Sequence, residues 1–298
     1  MARPRNDLND LSGTEWIKFT RTWFVCDSPR YYRNKPTELH PARFPEEMVA
    51  DILRFFTKQR QFDLDPFLGS GATLVACAEQ GRQGVGIELS PRYAQVARRR
   101  LAQLSLDRSY QAVIQGDATE IAKPGLWASL RGELGTAGLR FHRGLPQFDF
   151  IITSPPYWNM LRTSRGGVKS KHKLRAEQNL DTHYSDLAAD LGNITEYDDF
   201  IEALGGVFDR VHRILAPGKY LVVVAQNLRD PGGQVRMLAW DLARRIERPG
   251  SARTRWLFQG ERIWCQNTKP LGIWGYPKVF VPNYHHHYCL IFRKVANE

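Results

Sequence analysis

Apolar residues recur along this 298-residue chain in two alternating rhythms, one helical and one extended. Phe44, Met48, Ile52, Leu53 and Phe56 share one face of a predicted helix whose first turn holds Pro45, Glu46 and Glu47. The strand Phe62-Asp63-Leu64-Asp65 follows and ends at Pro66. Gly69-Ser70-Gly71 then turns the chain into a second helix, with Ala72, Leu74, Val75, Ala76 and Ala78 on its small, apolar face. Gly84-Val85-Gly86-Ile87 predicts a strand closing on Glu88, and residues 93–104 predict a helix. The alternation continues with a strand at Ala112-Val113-Ile114 before Gly116-Asp117, and another at Phe148-Asp149-Phe150-Ile151-Ile152 before Ser154-Pro155-Pro156. A helix over residues 195–214 leads through a Pro217-Gly218 turn to Tyr220-Leu221-Val222-Val223-Val224. A run this uniformly apolar fits a strand buried on both faces. Tyr288-Cys289-Leu290-Ile291-Phe292 is the last predicted strand. Strand following helix so regularly predicts an α/β doubly wound sheet, mixed and mostly parallel. With no internal repeat, low-complexity tract or long Gly/Ser linker, a single domain over residues 1–298 is expected. Within it, residues 1–37 read as an N-terminal extension, 159–195 as a basic insertion and 227–283 as a target-recognition insertion.

Charge narrows the range of partners. The chain carries 42 Lys+Arg against 31 Asp+Glu, a formal net charge of +11, which favours polyanions through counterion release without naming one. No stretch offers the roughly 18 uncharged apolar residues of a membrane span, and the opening MARPRNDLND is unlike a signal peptide. A cytoplasmic, nucleoid-associated protein with no membrane partner is expected. Cys26, Cys77, Cys265 and Cys289 show no CxxC spacing, so reduced structural thiols are expected rather than disulfides or zinc ligands. His285-His286-His287 invites a metal, but adjacent residues on a strand point to alternate faces and do not readily share one ion. No metal is expected.

In doubly wound sheets the ligand sits at the carboxyl ends of the strands, where this sequence concentrates its unusual residues. Asp65-Pro66-Phe67-Leu68-Gly69-Ser70-Gly71 joins a carboxylate to glycines that allow a ligand close approach to the backbone at a helix start. Glu88 follows roughly twenty residues on, where dinucleotide and adenosyl sites place the acid that accepts ribose hydroxyls. Asp117 can accept from an exocyclic adenine amino group; an ordinary capping or solvated carboxylate is the alternative for each of these acids, with as much weight for Asp117 and less for Glu88. Together they outline an adenosine-shaped site. No GxxxxGK[ST] loop is present, which disfavours a kinase or ATPase. Ser154-Pro155-Pro156-Tyr157-Trp158 places a hydroxyl, a stiff turn with two missing backbone donors, and two aromatic faces directly after an apolar strand. Such a pocket suits a planar ring bearing an amino group, while a rigid turn with core aromatics is the plain structural alternative.

These motifs resemble those of the DNA amino-methyltransferases, which transfer a methyl group from S-adenosylmethionine to cytosine N4 or adenine N6. The resemblance runs over about residues 16–294 and implies a Rossmann-like methyltransferase fold. It implies Ser154, Pro155, Pro156 and Tyr157 as the catalytic motif, with Tyr157 stacking on an extruded base. It implies cofactor contacts from Asp65, Pro66, Phe67, Gly69, Ser70, Gly71 and Thr73, from Glu88 and Leu89, from Asp117 and Ala118, and from His40, Pro41 and Phe44 over the methionine end. The stretches Arg213-Ile214-Leu215-Ala216-Pro217-Gly218 and Tyr284-His285-His286-His287-Tyr288 are also similar to family segments. A serine at the first motif position implies cytosine N4, with adenine N6 as the alternative. No cysteine follows a proline, which disfavours pyrimidine C5 chemistry. An RNA or protein-amine methyltransferase and a catalytically dead nucleic-acid-binding module remain further readings.

Double-stranded DNA is the expected substrate, with a cognate restriction endonuclease as partner and a monomer or homodimer as the assembly. The stretch 162–175, RTSRGGVKSKHKLR, holds Arg162, Arg165, Lys169, Lys171, Lys173 and Arg175 without an acid, as a loop on the phosphate backbone would. A second basic stretch contains Arg244, Arg245, Arg248, Arg253, Arg255 and Arg262, with Arg253 and Arg255 expected on nucleic acid. Trp16-Ile17-Lys18-Phe19-Thr20-Arg21-Thr22-Trp23 is expected to divide between packing and contact. With no further domain expected beyond the last strand, recognition falls to the insertions, a partner or a dimer.

Overall fold

The computed structural model describes residues 6–27, 44–104, 109–158, 187–230, 232–248 and 255–295. The helices are α1 (Gly13–Phe19), α2 (Glu46–Phe56), α3 (Ala72–Glu79), α4 (Pro91–Leu101), α5 (Pro124–Trp127), α6 (Arg131–Thr136), α7 (Tyr197–Ile214) and α8 (Leu238–Glu247). The strands are β1 (Trp23–Val25), β2 (Phe62–Asp65), β3 (Gln83–Glu88), β4 (Gln111–Gln115), β5 (Arg140–His142), β6 (Leu145–Thr153), β7 (Leu215–Ala225), β8 (Leu228–Arg229), β9 (Val235–Arg236), β10 (Trp256–Cys265) and β11 (His286–Lys294).

Among the described residues nine strands form one sheet, in the order β1-β10-β11-β7-β6-β2-β3-β4 with β5 beside β6. β4, β3, β2, β6 and β7 pair in parallel, while β11 lies antiparallel between β7 and β10. The sheet is therefore mixed and mostly parallel, as the alternation of strands and helices predicts. Side chains alternate across it with the period of two that a strand imposes. Ile151, Leu221, Val223 and Phe292 face a core closed by α7, α8 and Trp127. Phe150, Ile152, Val222 and Val224 face the other way, under α2. Met48, Val49, Ile52, Leu53 and Phe56 of α2 are buried there, and each such side chain withdrawn from water stabilises the fold by roughly 1.5–3 kcal/mol.

Boundaries move by a few residues from expectation. α4 starts at Pro91, where a fixed φ and a missing donor suit a helix's first turn, and gives way to its cap at Ala102. Residues 6–27 contribute more than an extension. Trp16 and Phe19 pack on Phe55, the latter stacked at 3.9 Å, and β1 pairs in parallel with β10 through Trp23↔Ile263. Part of the stretch expected to be a recognition insertion is likewise core architecture, since α8 buries Leu238, Leu242 and Ile246 and β10 is an inner strand. Among the described residues no helix is long and apolar enough to cross a membrane.

Candidate active site

The carboxyl ends of β2, β3, β4 and β6 converge because those strands run parallel and in adjacent register. Asp65, at the end of β2, is buried at 1% exposure. Its Oδ1 accepts from the Phe67 backbone N–H at 3.0 Å and the Thr153 hydroxyl at 2.6 Å, and its Oδ2 accepts from the Thr73 hydroxyl at 2.5 Å. One carboxylate thus ties β2 to β6 and to the start of α3. Burial raises its pKa to about 6, against the lowering effect of Thr153, Thr73 and Phe67.

The following turn needs its glycines. Gly69 has φ +56° and Gly71 has φ +87°, both in the left-handed region that side chains resist. A Cβ on Gly71 would come within 2.9 Å of the Ala97 Cβ, so this glycine also allows α3 to approach α4. The Gly69 N–H donates to Glu88 Oε2 at 2.7 Å, and the Ser90 N–H donates to Glu88 Oε1 at 2.8 Å. Glu88 is buried at 9% exposure, and desolvation lifts its pKa to about 7 despite those two donors. Asp117 caps the short turn Ala118–Glu120 by accepting from the Thr119 N–H at 2.7 Å.

At the end of β6, Ser154 Oγ lies 3.0 Å from Tyr157 Oη. Tyr157 donates to the Val224 carbonyl at 3.2 Å, and the His287 Nδ1 stands 3.3 Å away. His287 stacks on Trp264 at 4.5 Å, and burial pushes its pKa down to about 3. Tyr157 is only 4% exposed, so its ring packs in the fold instead of presenting an open face to a base. Trp158 is also buried and meets Tyr197 edge-on at 5.3 Å.

One cleft gathers Pro66, Phe67, Gly69, Glu88, Leu89, Asp117, Ala118, Ser154 and Pro156, nine of the residues singled out from the sequence. Ile87, Ser90, Gly116, Ala189, Asp190 and Leu191 complete it and were missed. Asp190 carries no local motif beyond an Asx turn, in which its carboxylate accepts from the Gly192 N–H at 2.9 Å. Its charge also helps raise the pKa of Glu88. Three carboxylates around one narrow cleft suit a ligand rich in hydrogen-bond donors and positive charge. Ser70 Oγ is buried in the glycine turn without a hydrogen-bond partner among the described residues, and Ser70 does not line the cleft.

Other expected contacts lie elsewhere. Thr73 is wholly buried on Asp65, and Phe44 belongs to the core under α2, so neither lines the cleft. Arg255 precedes β10 at its Trp256 end, beside Lys294 and His212, and so at the end of the sheet opposite the cleft. That position removes it from any surface beside Ser154. Arg245 is held by Glu202 at 2.7 Å and Asp209 at 3.0 Å, and Arg262 lies over Phe19 at 3.8 Å while donating to the Arg21 carbonyl. Both arginines are consumed in packing the domain and are not available to read guanine edges. The three histidines take separate partners, His285 the Lys269 carbonyl, His286 the Tyr288 hydroxyl and His287 Tyr157. His40, Pro41, Arg162, Arg165, Lys169, Lys171, Lys173, Arg175 and Arg253 lie outside the described residues.

Comparison with known proteins bears on the same stretch of chain. Residues 6–99 match a family model described as DNA methylase, of the N6/N4 methyltransferase kind. The Type II methyltransferase M.Cfr9I of Citrobacter freundii is 45% identical over 62 residues, 21% of this chain and 21% of its own length. The Type II methyltransferase M.BglI of Bacillus subtilis is 30% identical over 108 residues, 36% of this chain and 29% of its own. The chain therefore spans less than a third of each of these relatives. Among solved structures, TrmN from Thermus thermophilus aligns with 84% of this chain and 48% of its own, at 13% identity and a TM-score of 0.43. The matched stretch 6–99, about a third of the chain, is the one that carries the Asp65 turn and Glu88, and there the chain is similar to the N4/N6 amino-methyltransferases.

Proposed function

We propose that the chain transfers a methyl group from S-adenosylmethionine to an exocyclic amino group of a base in duplex DNA, and that the group is cytosine N4. The observation that carries the reading is the cleft in which Glu88 and Ser154 meet. The residues present fit the cofactor. Glu88 offers a desolvated carboxylate, oriented by two backbone donors, to the ribose hydroxyls, and Asp117 and the Ala118 segment receive the adenine. Pro66, Ile87 and Leu89 give the cleft apolar walls, and the acidic set Glu88, Asp117 and Asp190 favours a cationic ligand. When bound, S-adenosylmethionine supplies the methyl group from a positively charged sulfur.

The target nitrogen is a poor nucleophile because its lone pair is delocalised into the ring, so it must pyramidalise to react. Tyr157 has one hydroxyl hydrogen, and it goes to the Val224 carbonyl. The Ser154 hydroxyl then donates to Tyr157 across 3.0 Å, which leaves the lone pairs of Ser154 for the hydrogens of the target amine. Acceptors fixed in advance at Ser154 and at the Pro155 carbonyl stabilise the pyramidal nitrogen without reorganising during the reaction. Tyr157 is thus a positioning residue, and Ser154 and Pro155 touch the substrate.

Serine at the first motif position favours cytosine N4 over adenine N6, the second reading on this scaffold. Incubating unmethylated genomic DNA with the protein and labelled S-adenosylmethionine, then digesting to nucleosides for mass spectrometry, decides between them. N4-methylcytosine supports the proposal, N6-methyladenine moves it to the adenine branch, and no label in any DNA nucleoside rejects DNA as substrate.

A further inference from the structure

The connection between β10 and β11, residues 266–285, leaves the sheet at the end that carries the catalytic motif. Its roots are Cys265 and His286, which pair with one another, and the next residue, His287, meets Tyr157 at 3.3 Å. Hairpin connections usually run to about 2–5 residues, and much longer ones within a compact domain tend to be functional. This one exposes an unusual set of apolar side chains: Leu271 at 79%, Ile273 at 87%, Tyr276 at 82%, Val279 at 58% and Phe280 at 86%.

These side chains project from a built scaffold. Asn283 bridges the loop, accepting from the Gly272 N–H at 2.9 Å and the Trp274 indole at 3.0 Å while donating to the Gly272 carbonyl at 2.9 Å. The Lys278 and Val279 N–H groups both donate to the Gly275 carbonyl at 2.8 Å. Gly275 has φ +72°, and a Cβ there would collide with the Val279 carbonyl, while one on Gly272 would strike the Trp274 ring. Lys269 and His285 lock the base of the loop, the lysine donating to the Tyr284 carbonyl at 2.5 Å and the histidine ring lying 3.0 Å from the Lys269 carbonyl. The scaffold holds apolar tips in water, an arrangement that favours removal of those tips from water by a partner.

Charge and position identify the partner. Residues 266–285 contain Lys269 and Lys278 and no acidic residue, in a chain of net charge +11. A second copy of the chain would bring like charge against like, whereas duplex DNA presents opposite charge at its rim and apolar base faces within. We propose that this loop is a wedge, with Ile273 and Phe280 entering the base stack of duplex DNA beside the target nucleotide. The inference rests on the DNA-methylating reading above. Apolar side chains inserted between base steps unstack and kink the duplex, which lowers the work of extruding a base toward Ser154.

The test uses full-length protein, its Ile273→Ser/Phe280→Ser variant and a Lys278→Ala control, each checked for an unchanged melting temperature. Closed circular plasmid is relaxed by a topoisomerase with each protein bound at matched occupancy, measured by filter retention. An inserted wedge changes duplex twist, so the parent and Lys278→Ala shift the topoisomer distribution, and the double variant returns it to that of protein-free plasmid. An equal shift from the double variant and the parent overturns the wedge, as does no shift from either. Loss of a sedimenting dimer in the double variant, with the topoisomer shift retained, assigns the loop to a protein partner and also overturns it. Methyl incorporation by the parent is scored separately, so a protein that unwinds plasmid without methylating it discredits the methyltransferase reading and not the insertion.

Discussion

Thr153 and Asp65 stand 88 residues apart in the chain, and the hydroxyl of the first donates to the carboxylate of the second at 2.6 Å. That bond joins the two strand ends from which the glycine turn 69–71 and the Ser154-Pro155-Pro156-Tyr157 segment depart. Replacing Asp65 with Ala leaves the Thr153 and Thr73 hydroxyls and the Phe67 N–H without their acceptor in a dry site. Each buried donor left unsatisfied costs about 1–3 kcal/mol. The expected outcome is a loss of about 3 kcal/mol or more in urea unfolding, together with loss of S-adenosylmethionine binding in calorimetry. A fully stable Asp65→Ala protein would show that the carboxylate does not hold the site together.

Glu88 and Asp65 give stability and cofactor binding opposite dependences on pH. Burial raises their pKa values to about 7 and about 6, above the ordinary values of 4.5 and 3.8 that apply when the chain unfolds. The folded state therefore binds more protons than the unfolded state between about pH 4 and 7, and its stability falls as pH rises through that window. The melting temperature of the free protein should fall from pH 5 to pH 8, with a shallower decline in Glu88→Gln. On the proposed reading, in which an ionised Glu88 accepts from the ribose hydroxyls and faces the cation, cofactor affinity should rise over the upper part of the same window. Calorimetric titrations at pH 6 and pH 8 check the second trend, and equal affinities would exclude Glu88 as the ribose contact.

The parallel core was legible because short strands alternate with amphipathic helices and end in Asp65-Pro66, Glu88, Gly116-Asp117 and Ser154-Pro155-Pro156, and chemistry at strand ends is a property of this architecture. Tyr157 was not legible in the same way. A pattern of residue types does not say whether a ring faces a cleft or the core, and the ring turns inward because Val224 and His287 lie within reach of its hydroxyl across the sheet. Arg245 and Arg262 looked like recognition residues for a similar reason. Their partners Glu202, Asp209, Phe19 and Phe24 come from distant parts of the chain, which local charge counting does not register. Asp190 escaped notice because its place in the cleft is created by tertiary packing.

Ser154 and Tyr157 should separate in their effects. Ser154→Ala removes an acceptor aimed at the amine but leaves Glu88 and the Asp65 network untouched, so kcat should fall by about 10²–10³ with cofactor affinity unchanged. Tyr157→Phe keeps the buried ring and deletes the hydroxyl that orients Ser154. The freed Ser154 hydrogen then competes with the amine for orientation, and a loss of about tenfold in kcat, or about 1.4 kcal/mol, is expected. Single-turnover methylation with saturating cofactor measures both. If Tyr157→Phe is as damaging as Ser154→Ala, the tyrosine hydroxyl itself touches the substrate.

The arginines of α8 and the basic stretch 162–175 should respond differently to salt. Arg245 spends its charge on Glu202 and Asp209, so Arg245→Ala should lower stability by about 1–3 kcal/mol and leave the salt dependence of DNA binding unchanged. Lys169, Lys171, Lys173 and Arg175 have no acid between them in the chain, and binding to DNA phosphates would release one counterion for each charge neutralised. Reversing Lys171 and Lys173 to Glu should then reduce the slope of log K against log salt by about 0.9 for each phosphate no longer neutralised, with little change in melting temperature. Fluorescence anisotropy of a labelled duplex between about 50 and 200 mM salt spans the range in which such slopes are read. An unchanged slope after the double reversal would take this stretch off the nucleic-acid surface, whereas a changed slope in Arg245→Ala would mean that the α8 arginine reaches DNA despite its two carboxylate partners.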